Sequence, residues 1–201
     1  MIKKRLFDFS AGMLGLLVCL PLFCIIIVSI KVKMPGPIFF RQRRVGQDGK
    51  LFNMVKFRTM TINHGGSTIT VKGENRITPL GAILRNYKLD ELPELWNILI
   101  GEMSFVGPRP DVPGYADQLQ GDDRMILAIK PGLTGPASMK YANEEEILAK
   151  QSDPVDFNNK VIYPDKVRIN LNYIKYRTFF LDLKIIINTI LGNELNDPRF
   201  K

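Results

Sequence analysis

"AGMLGLLVCLPLFCIIIVSI", Ala11 to Ile30, is a run of twenty residues without a charge. At about 1.5 Å rise per residue, a helix of that length matches the hydrocarbon thickness of a bilayer. Lys3, Lys4 and Arg5 precede the run, and Lys31, Lys33, Arg41, Arg43 and Arg44 follow it, so cations flank both ends. Clusters of Lys and Arg ordinarily mark one end of a spanning helix as cytoplasmic, and here both ends are marked. Pro21 lies near the middle, where it removes a backbone donor and crowds the preceding turn. A helix that enters, breaks at Pro21 and leaves by the same face accounts for both features; a spanning helix with a proline kink is the alternative. Either way, the larger basic cluster places residues 31–201 on the cytoplasmic side. A cleaved signal peptide fits poorly, because no small-x-small cleavage site follows "VSIKVKMPG".

Over all 201 residues the composition is globular on average, 45% hydrophobic and 24% charged with a net charge of +8, and that average hides the apolar run. Cations clustered beside an apolar segment favour anionic lipid headgroups as their partner. Nucleic acid does not fit. The basic residues interleave with apolar ones, and no recognition-helix, zinc-finger or RNA-binding signature accompanies them. Cys19 and Cys24 both fall inside the apolar run and read as small hydrophobes. With one histidine, His64, neither a zinc site nor a Ser-His-Asp arrangement is supported. Residues 61–76 are rich in Gly and Ser but show neither Walker spacing nor G-x-G-x-x-G.

In "PIFFRQRRVGQDGKLFNMVKFRTM", residues 37–60, two β-favourable runs flank Asp48-Gly49, which predicts a hairpin with strands near 38–45 and 51–58. Arg41, Arg43, Arg44, Lys56 and Arg58 on it either line a phosphate site or solvate an outer face. Thr78 followed by Pro79 opens a short helix through about Tyr87, with Arg85 near its end. In "KLDELPELWNILIG", residues 88–101, Leu92, Leu95, Trp96 and Leu99 recur as the apolar stripe of a helix that Gly101 ends. Asp90 then stands at the N-cap, with Glu91 and Glu94 as acids near a positive helix end. The same placement permits other chemistry: a carboxylate beside a bound phosphate can attack phosphorus, and a neighbouring carboxylate can hold Mg²⁺. Both readings of Asp90 stand open at this point.

"GEMSFVGPRPDVPGY", residues 101–115, mounts Arg109 between two prolines, which suits phosphate binding and a structural ion pair equally. "KPGLTG", residues 130–135, reads as a Pro/Gly turn. Within residues 136–165, "NEEEILAK" reads as a helix with a solvated acidic face, and Lys140 to Asn143 is the stretch where sugar selection would be sought. Residues 165–192 predict two short helices with mixed apolar and basic faces, packed on the core or lying at a membrane interface.

Taken in order, "FFRQRRVGQDGKLFNMVKFRTM", "LDELPELWNIL", "GEMSFVGPRP" and "KPGLTG", behind a basic and hydrophobic N-terminus, closely resemble the bacterial sugar transferase family, the small monotopic phosphoglycosyl transferases. The resemblance implies an enzyme on the cytoplasmic face of the bacterial inner membrane. It would move a sugar phosphate from a UDP-sugar to a polyprenol phosphate (undecaprenyl phosphate), release UMP, and so initiate glycan assembly. It implies Asp90 as the nucleophile that becomes an aspartyl phosphosugar, Glu91 as ligand of a Mg²⁺ cofactor, and Lys56, Arg58, Arg85 and Arg109 as phosphate contacts. It also implies a re-entrant membrane helix broken at Pro21, although the family's serine before that proline is Leu20 here. The expected fold is α+β, mostly helical with a β-hairpin, divided into a membrane segment 1–34 and a catalytic domain 35–201. A dimer is compatible with it. The rival class is a membrane-anchored scaffold, which would need none of these charged residues together.

Overall fold

The computed structural model describes residues 2–62 and 76–200, so His64 and most of the 61–76 stretch lie outside the described residues. The protein is mostly helical, with a small antiparallel hairpin. Helix α1 spans Ile2–Lys33 with Pro21 inside it. The break expected at Pro21 does not interrupt this helix. Proline forfeits one bond of the ladder while the turns on either side keep theirs.

Strands β1 (Phe39–Val45) and β2 (Leu51–Phe57) form the predicted hairpin. Its tip takes positive φ at Asp48 (57°) and Gly49 (78°), which an Asp-Gly pair adopts readily. On β2, Phe52 and Met54 are buried on one face and Phe57, at the strand's end, on the other, while Arg41 and Arg43 on β1 are exposed to solvent. After β2, Met60 bridges Ile77 in antiparallel fashion, and helix α2 (Pro79–Asn86) follows. Thr78 caps it as the sequence predicts, its hydroxyl accepting from the Gly81 amide at 2.9 Å.

The chain then makes a tight turn, Leu89–Glu91, and helix α3 (Glu94–Ile100) begins after Pro93 and ends at Gly101 in the left-handed conformation (φ 87°). Strand β3 (Ser104–Val106) pairs in parallel with β4 (Gly132–Thr134). "KPGLTG" is therefore more than a turn. Its glycine at 132 lies so close to the Gly107 amide that a Cβ would collide with that backbone, which explains the glycines on both segments. Helices α4 (Pro136–Lys140), α5 (Glu144–Ala149), α6 (Pro154–Phe157), α7 (Tyr163–Tyr176) and α8 (Phe179–Leu191) complete the chain.

The chain divides into two compact units. Of the described residues, the first takes those up to Arg43 and from Asn53 to Gly101; the second takes Arg44–Phe52 and everything from Glu102. The apolar helix α1 thus shares a compact unit with the hairpin base, α2 and α3. Its early turns lie on α3: Arg5 donates to the carbonyls of Ile98 (2.6 Å) and Leu99 (2.5 Å), and Gly12 and Gly15 face Leu99 and Leu95. Its late turns pack elsewhere on the same unit, with Ile26, Ile30 and Met34 in a core with Phe57 and Leu84. The Phe23 and Phe57 rings meet edge-on, 5.2 Å apart.

In the second unit, α7 and α8 form the core with β3: Val106, Ile169, Tyr173, Leu181 and Ile185 are buried together. Of the two expectations for α8, core packing is met by Leu181 and Ile185, while Phe180, Ile187 and Ile190 are exposed. Lipid contact for the exposed face is an expectation of its chemistry.

Candidate active site

The carboxylates of "KLDELPEL" sit at the junction of the Leu89–Glu91 turn and α3, and the structure changes their reading. Asp90 is not the N-cap of α3, which starts four residues later with Pro93 before it and no side-chain cap. Pro93 has no N–H, and the turn is closed instead by short bonds from Leu92 N to Leu89 O (3.3 Å) and from Leu95 N to Leu92 O (3.1 Å). Asp90 is 8% exposed within that turn. Lys88, just before it, holds φ at 56°, a conformation that costs a non-glycine residue energy and concentrates at functional sites. With Pro93 as the N-cap of α3, the N-cap reading of Asp90 falls and the second reading, a reactive carboxylate, stays open.

Beside it, Lys56 on β2 reaches Glu91 Oε1 at 2.9 Å and Glu94 Oε1 at 3.2 Å. The Lys56 and Glu91 side chains are each 15% exposed and Glu94 only 1%. One ammonium is therefore shared by two carboxylates in a site largely closed to water. The pairing is rigidly mounted. Asn97, one turn along α3, accepts from the Val55 amide (3.1 Å) and donates to the Asn53 carbonyl (2.8 Å), clamping α3 to β2 on the strand that carries Lys56. The sequence reads Glu94 only as an acid near a positive helix end and does not single out Asn97. The signal for Glu94 was its place among three acids in eight residues; for Asn97 it was a polar residue inside an apolar stripe. Trp96, counted in that stripe, is instead exposed, while Glu94, Asn97 and Ile98 are buried.

Arg58 takes a different role from the one expected. It is buried, and its guanidinium donates to the carbonyls of Met34 and Pro35, satisfying backbone groups where α1 ends. That use is structural, and it ties β2 to the end of the membrane helix. Arg85 is half-buried in the last turn of α2, whose Arg85 carbonyl accepts from the Lys88 amide (3.1 Å) ahead of the Asp90 turn. Arg109 is exposed on the second unit. Its loop is fixed there by Arg44 Nη1, which donates to the Pro110 carbonyl (3.0 Å), and by Val45 N, which donates to the Asp111 carbonyl (2.8 Å).

Lys140 and Tyr141, in the stretch considered for sugar selection, both bond the Asp165 carboxylate at 2.8 Å. Against the effect of burial, Lys140, Arg168 and Tyr141 hold Asp165 down to about 2. Burial pushes the Asp111 carboxyl up to about 6 despite the opposing charges of Lys166 and Arg44, with Glu144 adding to the rise and Tyr163 opposing it. Among the described residues no group of three or more His, Cys, Asp or Glu is arranged to hold a metal by itself.

A family model described as bacterial sugar transferase matches residues 1–193. The chain is 33% identical over 206 residues to a UDP-glucose:undecaprenyl-phosphate glucose-1-phosphate transferase of Klebsiella pneumoniae, covering all of this chain and 42% of that protein. It is 34% identical over 190 residues to the sugar transferase EpsL of Bacillus subtilis (strain 168), covering 94% of this chain and 86% of that one. It is 33% identical over 201 residues to the exopolysaccharide production protein PSS of Rhizobium leguminosarum bv. phaseoli, covering 96% and 95%. The chain thus spans about two fifths of the length of the first relative and nearly all of the last.

Proposed function

The chain belongs to the bacterial sugar transferase family, and from that premise we propose that it transfers a sugar 1-phosphate from a UDP-sugar to undecaprenyl phosphate, releasing UMP, in two displacements at Asp90. In the first, a carboxylate oxygen of Asp90 attacks the β-phosphorus; the bond from that phosphorus to the bridging oxygen breaks and UMP leaves with the oxygen. In the second, a phosphate oxygen of undecaprenyl phosphate attacks the aspartyl phosphosugar and restores the Asp90 carboxylate. Both nucleophiles are ionised at neutral pH, so neither step needs a general base. The observation that carries this reading is the buried Asp90 next to the half-buried Glu91, with Lys56 on the Glu91 carboxylate, in a unit built around the apolar helix.

In this reading Lys56 and Arg85 of the first unit contact the donor's phosphates, and Arg109 of the second unit keeps the phosphate role that its motif implies. Arg58 is withdrawn from that set by its carbonyl bonds. Glu91, with Asp90, would hold Mg²⁺: hard carboxylate oxygens suit that ion, which takes one or two protein carboxylates and completes its shell with phosphates and water. Glu91 already presents Oε1 to a cation, the Lys56 ammonium. When bound, the ion supplies neutralising charge to the diphosphate.

Helix α1 stays helical through Pro21, and in this reading it re-enters by bending at that proline rather than breaking, on the cytoplasmic face of the inner membrane. Its early turns and its late turns both pack on the same unit, whereas a spanning helix would carry one end away from it.

The test is intact-protein mass spectrometry after incubation with Mg²⁺ and a panel of UDP-sugars, without undecaprenyl phosphate, beside Asp90→Asn. A single adduct of one sugar's phosphate, absent from the variant, is expected, and its mass names the sugar. UMP release on adding undecaprenyl phosphate covers a short-lived intermediate. No adduct and no UMP from any donor would move the scaffold reading ahead.

A further inference from the structure

We infer that Glu94 is a positioning residue that holds Lys56 in place when a divalent cation takes Glu91, and so sets how readily the cation binds. This rests on the reading of Glu91 as the cation's ligand.

Lys56 lies 2.9 Å from Glu91 Oε1 and 3.2 Å from Glu94 Oε1, so one ammonium serves two carboxylates. A divalent cation arriving at Glu91 competes with that ammonium for the same carboxylate. Displacing an ammonium in a poorly solvated site is costly unless an anion stays beside it. Glu94 is that anion. Its side chain is 1% exposed, and it cannot swing out, because Asn97, one turn along α3, is bonded to β2 at Asn53 and Val55 next to Lys56. With Glu94 present, Glu91 passes from ammonium to metal while Lys56 stays charged and in position for the donor's phosphates. Without it, Lys56 has Glu91 as its remaining partner in this trio, and the local field loses a negative charge, so the cation is disfavoured on both counts.

The test is Mn²⁺ binding to the full chain in detergent micelles, titrated by electron paramagnetic resonance without any nucleotide, so that it reads binding and not turnover. Glu94→Gln keeps the side chain's shape and is expected to bind Mn²⁺ about tenfold more weakly, the low end of what losing an outer-shell partner does. The double change Lys56→Gln with Glu94→Gln removes the competing ammonium as well, and is expected to bind more tightly than Glu94→Gln alone. Those two shifts run in opposite directions, which a merely structural role does not produce. Wild-type affinity in Glu94→Gln, or no recovery in the double variant, overturns the inference. Should Glu94→Gln fail to fold, the double variant carries the test against wild type, where equal or tighter binding is expected and weaker binding overturns it. Glu91→Gln separates the premise: if it binds Mn²⁺ as wild type does, the ligand reading itself fails.

Discussion

Lys56 in the first unit and Lys166 in the second are similarly sheltered, with side chains 15% and 21% exposed, and both touch carboxylates at hydrogen-bond distance. Their partners differ. Lys166 grips both oxygens of Glu144 at 2.6 Å, and that glutamate keeps 29% of its side chain exposed. Lys56 is divided between Glu91 and a Glu94 that is 1% exposed, next to an Asp90 that is itself buried. The second unit repeats its pattern, with Asp165 served by Lys140, Tyr141 and Arg168, and Asp197 by Arg199. Its acids are well supplied with donors, and they look structural. The first unit instead gathers three sheltered carboxylates, Asp90, Glu91 and Glu94, around the one ammonium of Lys56, a crowding of like charge that attracts cations and their ligands. Residue type does not separate the two groups of carboxylates; their crowding and their access to water do.

The sharpest way to break this contrast is the same substitution in both units. Asp90→Asn is expected to lower turnover at least a thousandfold by removing the nucleophile, while the melting temperature stays close to wild type. Asp165→Asn is expected to lower the melting temperature and leave turnover per folded molecule near wild type. Rates and thermal melts of both purified variants decide it. Turnover in Asp90→Asn close to wild type would end the assigned mechanism.

Next in size is loss of the lysine. Lys56→Met takes from Glu91 and from the 1% exposed Glu94 an ammonium that both touch, and is expected to cost about 3–5 kcal/mol, the usual penalty for breaking a buried pair by removing one partner. Lys166→Met leaves a glutamate that water can reach, for about 1 kcal/mol or less. Denaturant titrations of the two variants compare them directly, and equal losses would erase the distinction.

A third effect depends on pH. Asp111, normally near 3.9 in an unfolded chain, is raised to about 6 by burial against the pull of Lys166 and Arg44. Its protonated form is favoured in the fold, so this contribution is complete below about pH 4 and is lost as pH rises through 6. Asp165, held near 2, runs the other way: its contribution is present above about pH 4 and is lost only as pH falls toward 2. Between pH 5 and 8, therefore, Asp111 dominates of the two. Asp111→Asn is expected to gain about 3 kcal/mol over wild type at pH 8 and roughly half of that at pH 5. Melts at the two values check this, and an equal change at both would refute it.

The hairpin, the Thr78 cap, the Gly101 stop and the paired C-terminal helices were legible because each rests on local chemistry: a turn dipeptide, a hydroxyl, a glycine with positive φ, an apolar period. The cap assigned to Asp90 was not, because Pro93 shifts the helix start through backbone bonds that a pattern of apolar residues does not encode. The β3–β4 pair was invisible for another reason, since three-residue strands bounded by glycine and proline carry no alternation. Asp90 and Glu91 stood out as adjacent acids in a basic chain. Arg58 looked like its neighbouring cations, and its carbonyl partners at Met34 and Pro35 are contacts made only in the fold. Glu94 and Asn97 acquire meaning only once α3 lies on β2.

The smallest expected effect tests the quiet side of the contrast. Arg168 donates through Nε (3.0 Å) and Nη2 (2.7 Å) to Asp165 three residues earlier on α7, and its own side chain is 48% exposed. An exposed pair at that spacing contributes about 0.5 kcal/mol or less. Arg168→Gln also leaves Asp165 with the Lys140 ammonium and the Tyr141 hydroxyl, each at 2.8 Å. Burial and Asp165 push that hydroxyl up to about 12, so it stays a neutral donor at any working pH. The variant should therefore melt within about 0.5 kcal/mol of wild type and turn over normally. A fall in turnover without a fall in stability would mean that the Asp165 cluster takes part in the reaction, and that the second unit's ion pairs do more than hold helices together.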